Sequence, residues 1–179
     1  AIRPRSARPR RPAVTGLIAA VGGNNFGGVG VSRARILSVK VADGTGDADT
    51  ASMVAGIRYA IAQRVQVINI SLGGSDPSDL ERAAIDEACR AGILVVAAAG
   101  NSGRVGNTME YPAGYRHVLA VGAVRANGTA LLDSTRGPQV AIAAPGKAIW
   151  STSPGRRYRT RTGTSMASAL VSGAAARLL

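Results

Sequence analysis

The sequence predicts an α/β fold, a mainly parallel sheet flanked by helices, and three observations carry that prediction. Short apolar and β-branched runs alternate with helix-period segments in the order strand, helix, strand, helix, strand, the order of βαβ units on a parallel sheet. Hydrophobic residues make up 46% of the chain but aromatics only 3%, so a core must be built from Val, Ile, Leu, Ala and Gly packed closely. The 179 residues are one domain's worth, long enough to bury a core of their own.

The elements follow in order. Residues 1–12 are an Arg/Pro-rich leader with too few apolar side chains to pack, expected to be disordered or extended; the domain proper is expected over 13–179. Val14, Leu17, Ile18 and Val21 fall on one face of a helix ending near Gly22-Gly23, and a Gly/Asn loop follows to Gly30. Arg35 to Val41 has the β-branched, apolar character of a buried strand, closed by Asp43-Gly44-Thr45-Gly46 as a turn. Asp49 and Thr50 are candidate caps for a helix running to about Arg64, with Met53, Ile57, Ala60 and Ile61 on its inner face. Gln66 to Leu72 is the next strand, stopped by Gly73-Gly74. Asp76-Pro77 starts a helix that turns Leu80, Ala84, Ile85 and Ala88 inward and ends at Gly92. The unbroken apolar run Ile93 to Ala99 predicts a strand buried on both faces, with Asn101 just beyond it. His117 to Val124 and Val140 to Ala144 are two further strands, and Ser165 opens the final helix. Ligands on such sheets bind beyond the carboxyl ends of the strands, so Ser71 to Gly74 and Gly100-Asn101 are expected to converge on one crevice.

Composition narrows the functional classes. No apolar run approaches the ~20 residues of a membrane span and no signal segment is visible, so a soluble protein without a membrane partner is expected. Cys89, the single cysteine, excludes an internal disulfide, and its helical setting between Ala88 and Arg90 implies packing rather than redox chemistry. Net charge is +12, yet five arginines lie in the first eleven residues and four between Arg156 and Arg161. With no recognised nucleic-acid motif, that distribution implies nonspecific adhesion to polyanions and no specific nucleic-acid partner.

The stretch with chemistry is Gly163-Thr164-Ser165-Met166-Ala167-Ser168. A Gly-Thr turn leads into small residues of good helix propensity, which places Ser165 at a helix N-terminus, where unpaired N–H groups and the macrodipole favour developing negative charge. The other use of such residues is simply to cap the helix with Thr164 or Ser165.

This stretch resembles the nucleophile motif of the subtilisin-like serine proteases. Four further stretches are similar to segments of that family: Val67 to Gly74, Val95 to Asn101, Tyr111-Pro112 with Val118 to Val124, and Ala144-Pro145-Gly146. Together they cover nearly the whole chain from Val14 to Leu179. The resemblance implies a subtilisin-like fold and a monomer acting on a peptide or protein substrate. It makes Ser165 the nucleophile and Asn101 the side-chain donor of an oxyanion hole. Ser71, Leu72 and Gly73 become the edge that pairs with substrate backbone, and Ala98, Ala99 and Gly100 the opposite wall of the primary specificity pocket. Glu110 falls near that pocket's floor. Pointing inward it would favour Lys or Arg before the scissile bond; the other reading is a solvated glutamate on a loop. The chain needs no cofactor for its chemistry, but Gly22 to Gly30 stands where some relatives have a calcium loop, with Asn24 or Asn25 as the available ligands and no carboxylate. Secretion to the extracellular space is implied by the family alone.

The resemblance also has gaps. A serine hydroxyl needs a base to remove its proton, and the base needs a carboxylate to hold its tautomer. The place of the family's histidine is held by Arg10-Arg11-Pro12, and arginine stays protonated. The family's aspartate belongs to a strand further upstream. Asp43 mimics an Asp-x-Gly but follows the wrong strand, and His117, the only histidine, leads a strand where the family shows no catalytic residue. Ala169 replaces the proline that usually follows the motif, and Leu170 stands where many relatives have histidine. The chain is therefore expected to be close to inert. It is either an amino-terminally incomplete copy of an active protease, with a foreign leader, or a degenerate homologue that kept the cleft.

Overall fold

A computed structural model describes residues 11–179; residues 1–10, the bulk of the predicted leader, lie outside the described residues. Helix α1 spans Arg11–Ala19, two residues ahead of the expected boundary, with Pro12 in its first turn, where a missing N–H costs nothing. It stops before Val21, which is 73% exposed rather than on the inner face. The reason is competition for its last carbonyls: Leu17 O accepts from Val31 N at 2.9 Å and Ile18 O from Ser32 N at 2.8 Å, so the returning chain replaces the next helical turn. Ser32 Oγ adds a second bond to Ile18 O.

The sheet follows. Strands β1 (Val67–Ile70), β2 (Leu94–Ala98), β3 (Val118–Val124) and β4 (Val140–Pro145) lie side by side in chain order, every pair parallel. Between them run α2 (Thr50–Ala62), which precedes β1, and α3 (Asp79–Arg90), which joins β1 to β2. The period-2 alternation of β2 splits the core into two layers. Val95 and Ala97 face Met53, Ile57, Ala84, Ile85 and Ala88 of α2 and α3. Val96 faces the other way, toward Ala167 of the last helix, α4 (Thr164–Leu178), which lies across all four strands.

Two further expectations fail, each for a physical reason, and one element was not expected at all. Residues 35–41 form no strand: Ile36 and Leu37 are each 42% exposed, and no ladder among the described residues includes them. β-branched composition supplies the extended preference, but a strand exists only where a neighbour supplies the hydrogen bonds. The segment instead runs along α2, where Val41 approaches Gly56 so closely that a Cβ there would meet Val41 Cγ1 at 2.4 Å. On α3 the inward phase is Glu81, Ala84, Ile85 and Ala88; Leu80 is 68% exposed, and Cys89 is exposed as well, because each lies about 100° around the helix from a buried neighbour. Finally, an antiparallel hairpin of β5 (Ile149–Ser153) and β6 (Arg157–Arg161) stands where the sequence showed only charge. It is anchored by Ser151 Oγ donating to Ala13 O at 2.8 Å, by Thr152 Oγ1 donating to Pro12 O, and by a close approach of α1 at Gly16.

Candidate active site

α4 begins without a side-chain cap. Gly163, at φ 142° and ψ 168°, occupies backbone space essentially open to glycine alone, and Gly163 N donates to Gly146 O at 2.9 Å, which ties the turn to the end of β4. The cap comes from elsewhere in the chain. Asn101, just past β2, accepts from Thr164 N with Oδ1 at 3.0 Å and from Thr164 Oγ1 at 3.3 Å. The buried Thr164 hydroxyl also lies within hydrogen-bond distance of both Gly100 N and Gly100 O, at 3.3 and 3.2 Å. Because Thr164 occupies Oδ1, the NH₂ end of the Asn101 amide is the end left for a ligand.

Ser165 follows in the first helical turn, where its N–H has no intrahelical acceptor. Its side chain, 5% exposed with the rest of the residue, donates to Ser71 O at 3.1 Å. The carboxyl ends of β1 and β2 therefore do converge on the start of α4. A line of hydroxyls and one amide holds them there: Ser71 Oγ lies 3.1 Å from Ser168 Oγ, Asn69 Nδ2 donates to Ser71 Oγ at 2.9 Å, and Ser172 Oγ donates to Asn69 Oδ1 at 2.9 Å. Sequence reasoning took Ser168 and Ser172 only as small helix formers. Their spacing from Ser165, three and seven residues, is the one signal that places all three on a single helical face.

Glu110 points inward. Asn101 N donates to Glu110 Oε1 at 3.0 Å, and Cβ atoms built on Gly100 and Gly73 would lie 2.2 Å from Oε1 and 3.6 Å from Oε2. The carboxylate thus sits between the Ser71–Gly73 segment and the Ala98–Gly100 segment. Glycine is needed at Gly100 for this approach as well as for its φ of 107°. Gly74 and Tyr111 exchange both backbone hydrogen bonds, at 3.0 and 2.8 Å, and hold the Glu110 loop against the end of β1.

On the other side of Ser165 lies a cavity of about 610 Å³, lined among others by Asn101, Gly163, Met166, Asp133 and Arg161. His117 is not near either space. It precedes Val118, which pairs with Val95 at the start of β2, so it stands at the amino ends of the strands while Ser165 stands beyond their carboxyl ends. Asp43 is a turn residue: its Oδ1 accepts from Thr45 N, Thr45 Oγ1, Gly46 N and Asp47 N at 2.6 to 3.1 Å, and these bonds hold its carboxyl below the usual range.

The calcium expectation meets a poor donor set. In the 22–30 loop Asn24 Oδ1 accepts from Phe26 N at 3.1 Å and no carboxylate is present. The loop is held instead by rings: Phe26 lies edge-on to Tyr158 at 5.7 Å, Tyr158 stacks on Trp150 at 4.3 Å, and the Arg156 guanidinium lies 5.7 Å above Phe26. Asn24 and Asn25 are the only side-chain oxygens this loop offers a cation that takes six or more, so any such site would rest mainly on backbone carbonyls.

Comparison with known proteins gives the family. The Peptidase S8, subtilase family, profile matches residues 13–179. Subtilisin DY of Bacillus licheniformis is 43% identical over 169 residues, 93% of this chain and 61% of that protein. A thermostable alkaline protease of Halalkalibacterium halodurans is 45% identical over 164 residues, 91% of this chain and 45% of that protein. Subtilisin E of Bacillus subtilis is 43% identical over 169 residues, 93% and 44%. The chain thus spans 44 to 61% of the length of these relatives. Among the described residues no helix is long and apolar enough to cross a membrane.

Proposed function

The chain belongs to the subtilase family, and from that membership we propose that residues 13–179 are a serine endopeptidase domain built to cleave peptide bonds through an acyl-enzyme on Ser165, with very low activity in this chain because the histidine and aspartate that would activate the serine are not among its residues. The observation that supports the reading is the Asn101 amide locked by Thr164 at a helix start that has no local side-chain cap. In such a reaction Ser165 Oγ attacks the scissile carbonyl carbon while a base takes its proton and returns it to the leaving amine; Ser71 O, which accepts that proton here, cannot do this, so turnover waits on a base supplied from elsewhere. The negative charge that develops on the carbonyl oxygen receives hydrogen bonds from the Asn101 NH₂ and the Ser165 N–H, donors fixed before the reaction starts. The acyl half of the peptide pairs as an added strand with Ser71, Leu72 and Gly73 against the Ala98, Ala99 and Gly100 wall. A Lys or Arg side chain reaching between the two walls meets Glu110, which gives the site a preference for a basic residue before the scissile bond. Calcium has no part in this reading, and an extracellular location rests on family resemblance only.

One observation favours a second reading, a peptide-binding domain without turnover. The Ser165 proton is directed at the Ser71 carbonyl oxygen, which accepts a hydrogen bond but is no general base. Labelling with a fluorescent fluorophosphonate, with Ser165→Ala as control, separates the two. Stoichiometric, Ser165-dependent labelling is the expected sign of the endopeptidase. Absence of labelling by a folded chain that still binds peptides identifies the silent binder, and absence of both removes the peptide site.

A further inference from the structure

Building on that peptide site, we propose that Arg161 makes the cavity beyond Ser165 a subsite for an acidic side chain, Asp or Glu, on the part of the peptide that follows the scissile bond. The cavity is walled by the start of α4, with Gly163, Ser165 and Met166, by the end of β6 with the residue after it, Thr160 to Thr162, and by Leu131 and Asp133. Neither Ser71–Gly73, Ala98–Gly100 nor Glu110 lines it; it shares only Asn101 and Ser165 with the crevice that takes the acyl half. A peptide lying across Ser165 therefore has its remaining half here.

Arg161 is what gives this space a chemistry. Its Nε is shut from solvent with no hydrogen-bond partner. Among the described residues no ion pair reaches its guanidinium, whereas Arg58, Arg82 and Arg104 are paired with Glu87, Asp79 and Asp133. Asp133, the one acid in the cavity wall, is held by Arg104 Nε at 2.7 Å and so does not serve Arg161. Buried donors are almost always satisfied, so the unpaired Nε marks a guanidinium with no acceptor of its own on a residue that lines the cavity. The guanidinium presents a planar fork of donors that matches a carboxylate in a way a neutral amide does not. With Glu110 on one side of Ser165 and Arg161 on the other, the site is built for a basic residue followed directly by an acidic one.

The test uses the full chain and dye-labelled heptapeptides amidated at the carboxyl end, Ala-Ala-Ala-Arg-Xaa-Ala-Ala with Xaa as Glu, Gln or Lys, read by fluorescence polarisation. Glu should bind about tenfold tighter than Gln, the scale of one hydrogen bond to a charged group, and Lys weakest of the three. Arg161→Gln should bring the Glu-to-Gln ratio to about one and Arg161→Glu should invert the order of Glu and Lys. Equal binding of Glu and Gln peptides by the unmodified chain overturns the subsite while leaving the peptide site standing, and that comparison needs no variant to fold. Failure of every peptide to bind instead removes the peptide site and the subsite with it.

Discussion

Two helix starts in this chain are finished in opposite ways. α2 is closed by its own neighbour: the exposed Asp49 accepts from Ser52 N at 2.6 Å. α4 has glycine at that place, and its first N–H is taken by Asn101, 63 residues away. A local cap needs only a short side chain at the right spacing, and it satisfies one of the four unpaired N–H groups of the first turn. A cap brought from another element fixes that element in turn, here the end of β2, and leaves the next N–H free to meet a ligand. α3 stands between the two: Ser78 caps locally through Glu81 N, while the Tyr115 hydroxyl accepts from Ser78 N at 2.6 Å and donates back to Ser78 O at 3.1 Å. The inward turn of Glu81 beneath this cap raises its carboxyl pKa by burial, against the hydrogen bond with Tyr115.

If the remote cap serves chemistry and the local one serves only folding, substitutions at the two should differ in kind. Asn101→Ala should slow Ser165-dependent fluorophosphonate labelling, by at most the about 10² to 10³ in turnover that losing this donor costs in subtilisin itself, a member of the same family. Comparable labelling rates in variant and parent would remove Asn101 from the oxyanion site. Gly163→Ala should cost about 1–3 kcal/mol, because alanine is forced into backbone space reserved for glycine and its Cβ would lie 3.0 Å from Asn101 Oδ1. Denaturant unfolding checks this, and an unchanged midpoint would show that the turn relaxes freely.

The smallest effect is expected at the local cap. Asp49→Ala should lower Tm by a few degrees without altering labelling of the surviving folded chain. Its pH dependence has a definite sign. The Ser52 N–H holds the Asp49 carboxyl below its ordinary value of 3.8, so the cap stabilises above that value and its contribution is lost as pH falls through the lowered one. Melting curves of Asp49→Ala and parent should therefore differ near neutrality and converge in acid.

The same contrast explains what could be read without coordinates. Asp49 was legible as a cap because cap and helix are adjacent in sequence, and β2 because seven apolar residues in a row have one outlet. The crevice was legible through topology, which places Ser71 and Gly100 at strand ends, and through resemblance, which singled out Asn101 and Ser165. Residues 35–41 were misread because composition records the preference of a segment and not the presence of a partner. The β5–β6 hairpin was hidden because Arg-Tyr-Arg-Thr-Arg reads as charge before it reads as alternation. The Asn69, Ser168 and Ser172 bonds and the unpaired Arg161 depend on which elements meet, which no local pattern contains.

α4 lies across all four strands yet follows every one of them in the chain. Domains made by the ribosome acquire their amino-terminal parts first, at roughly 5–20 residues per second. The β1–β2 ladder and its α2–α3 layer can thus form while Ser165 is still in the exit tunnel, but Asn101 has no Thr164 to hold and Ser71 has no hydroxyl to meet. The crevice is therefore completed only in the last moments of synthesis of this segment, after the strands that frame it have already folded.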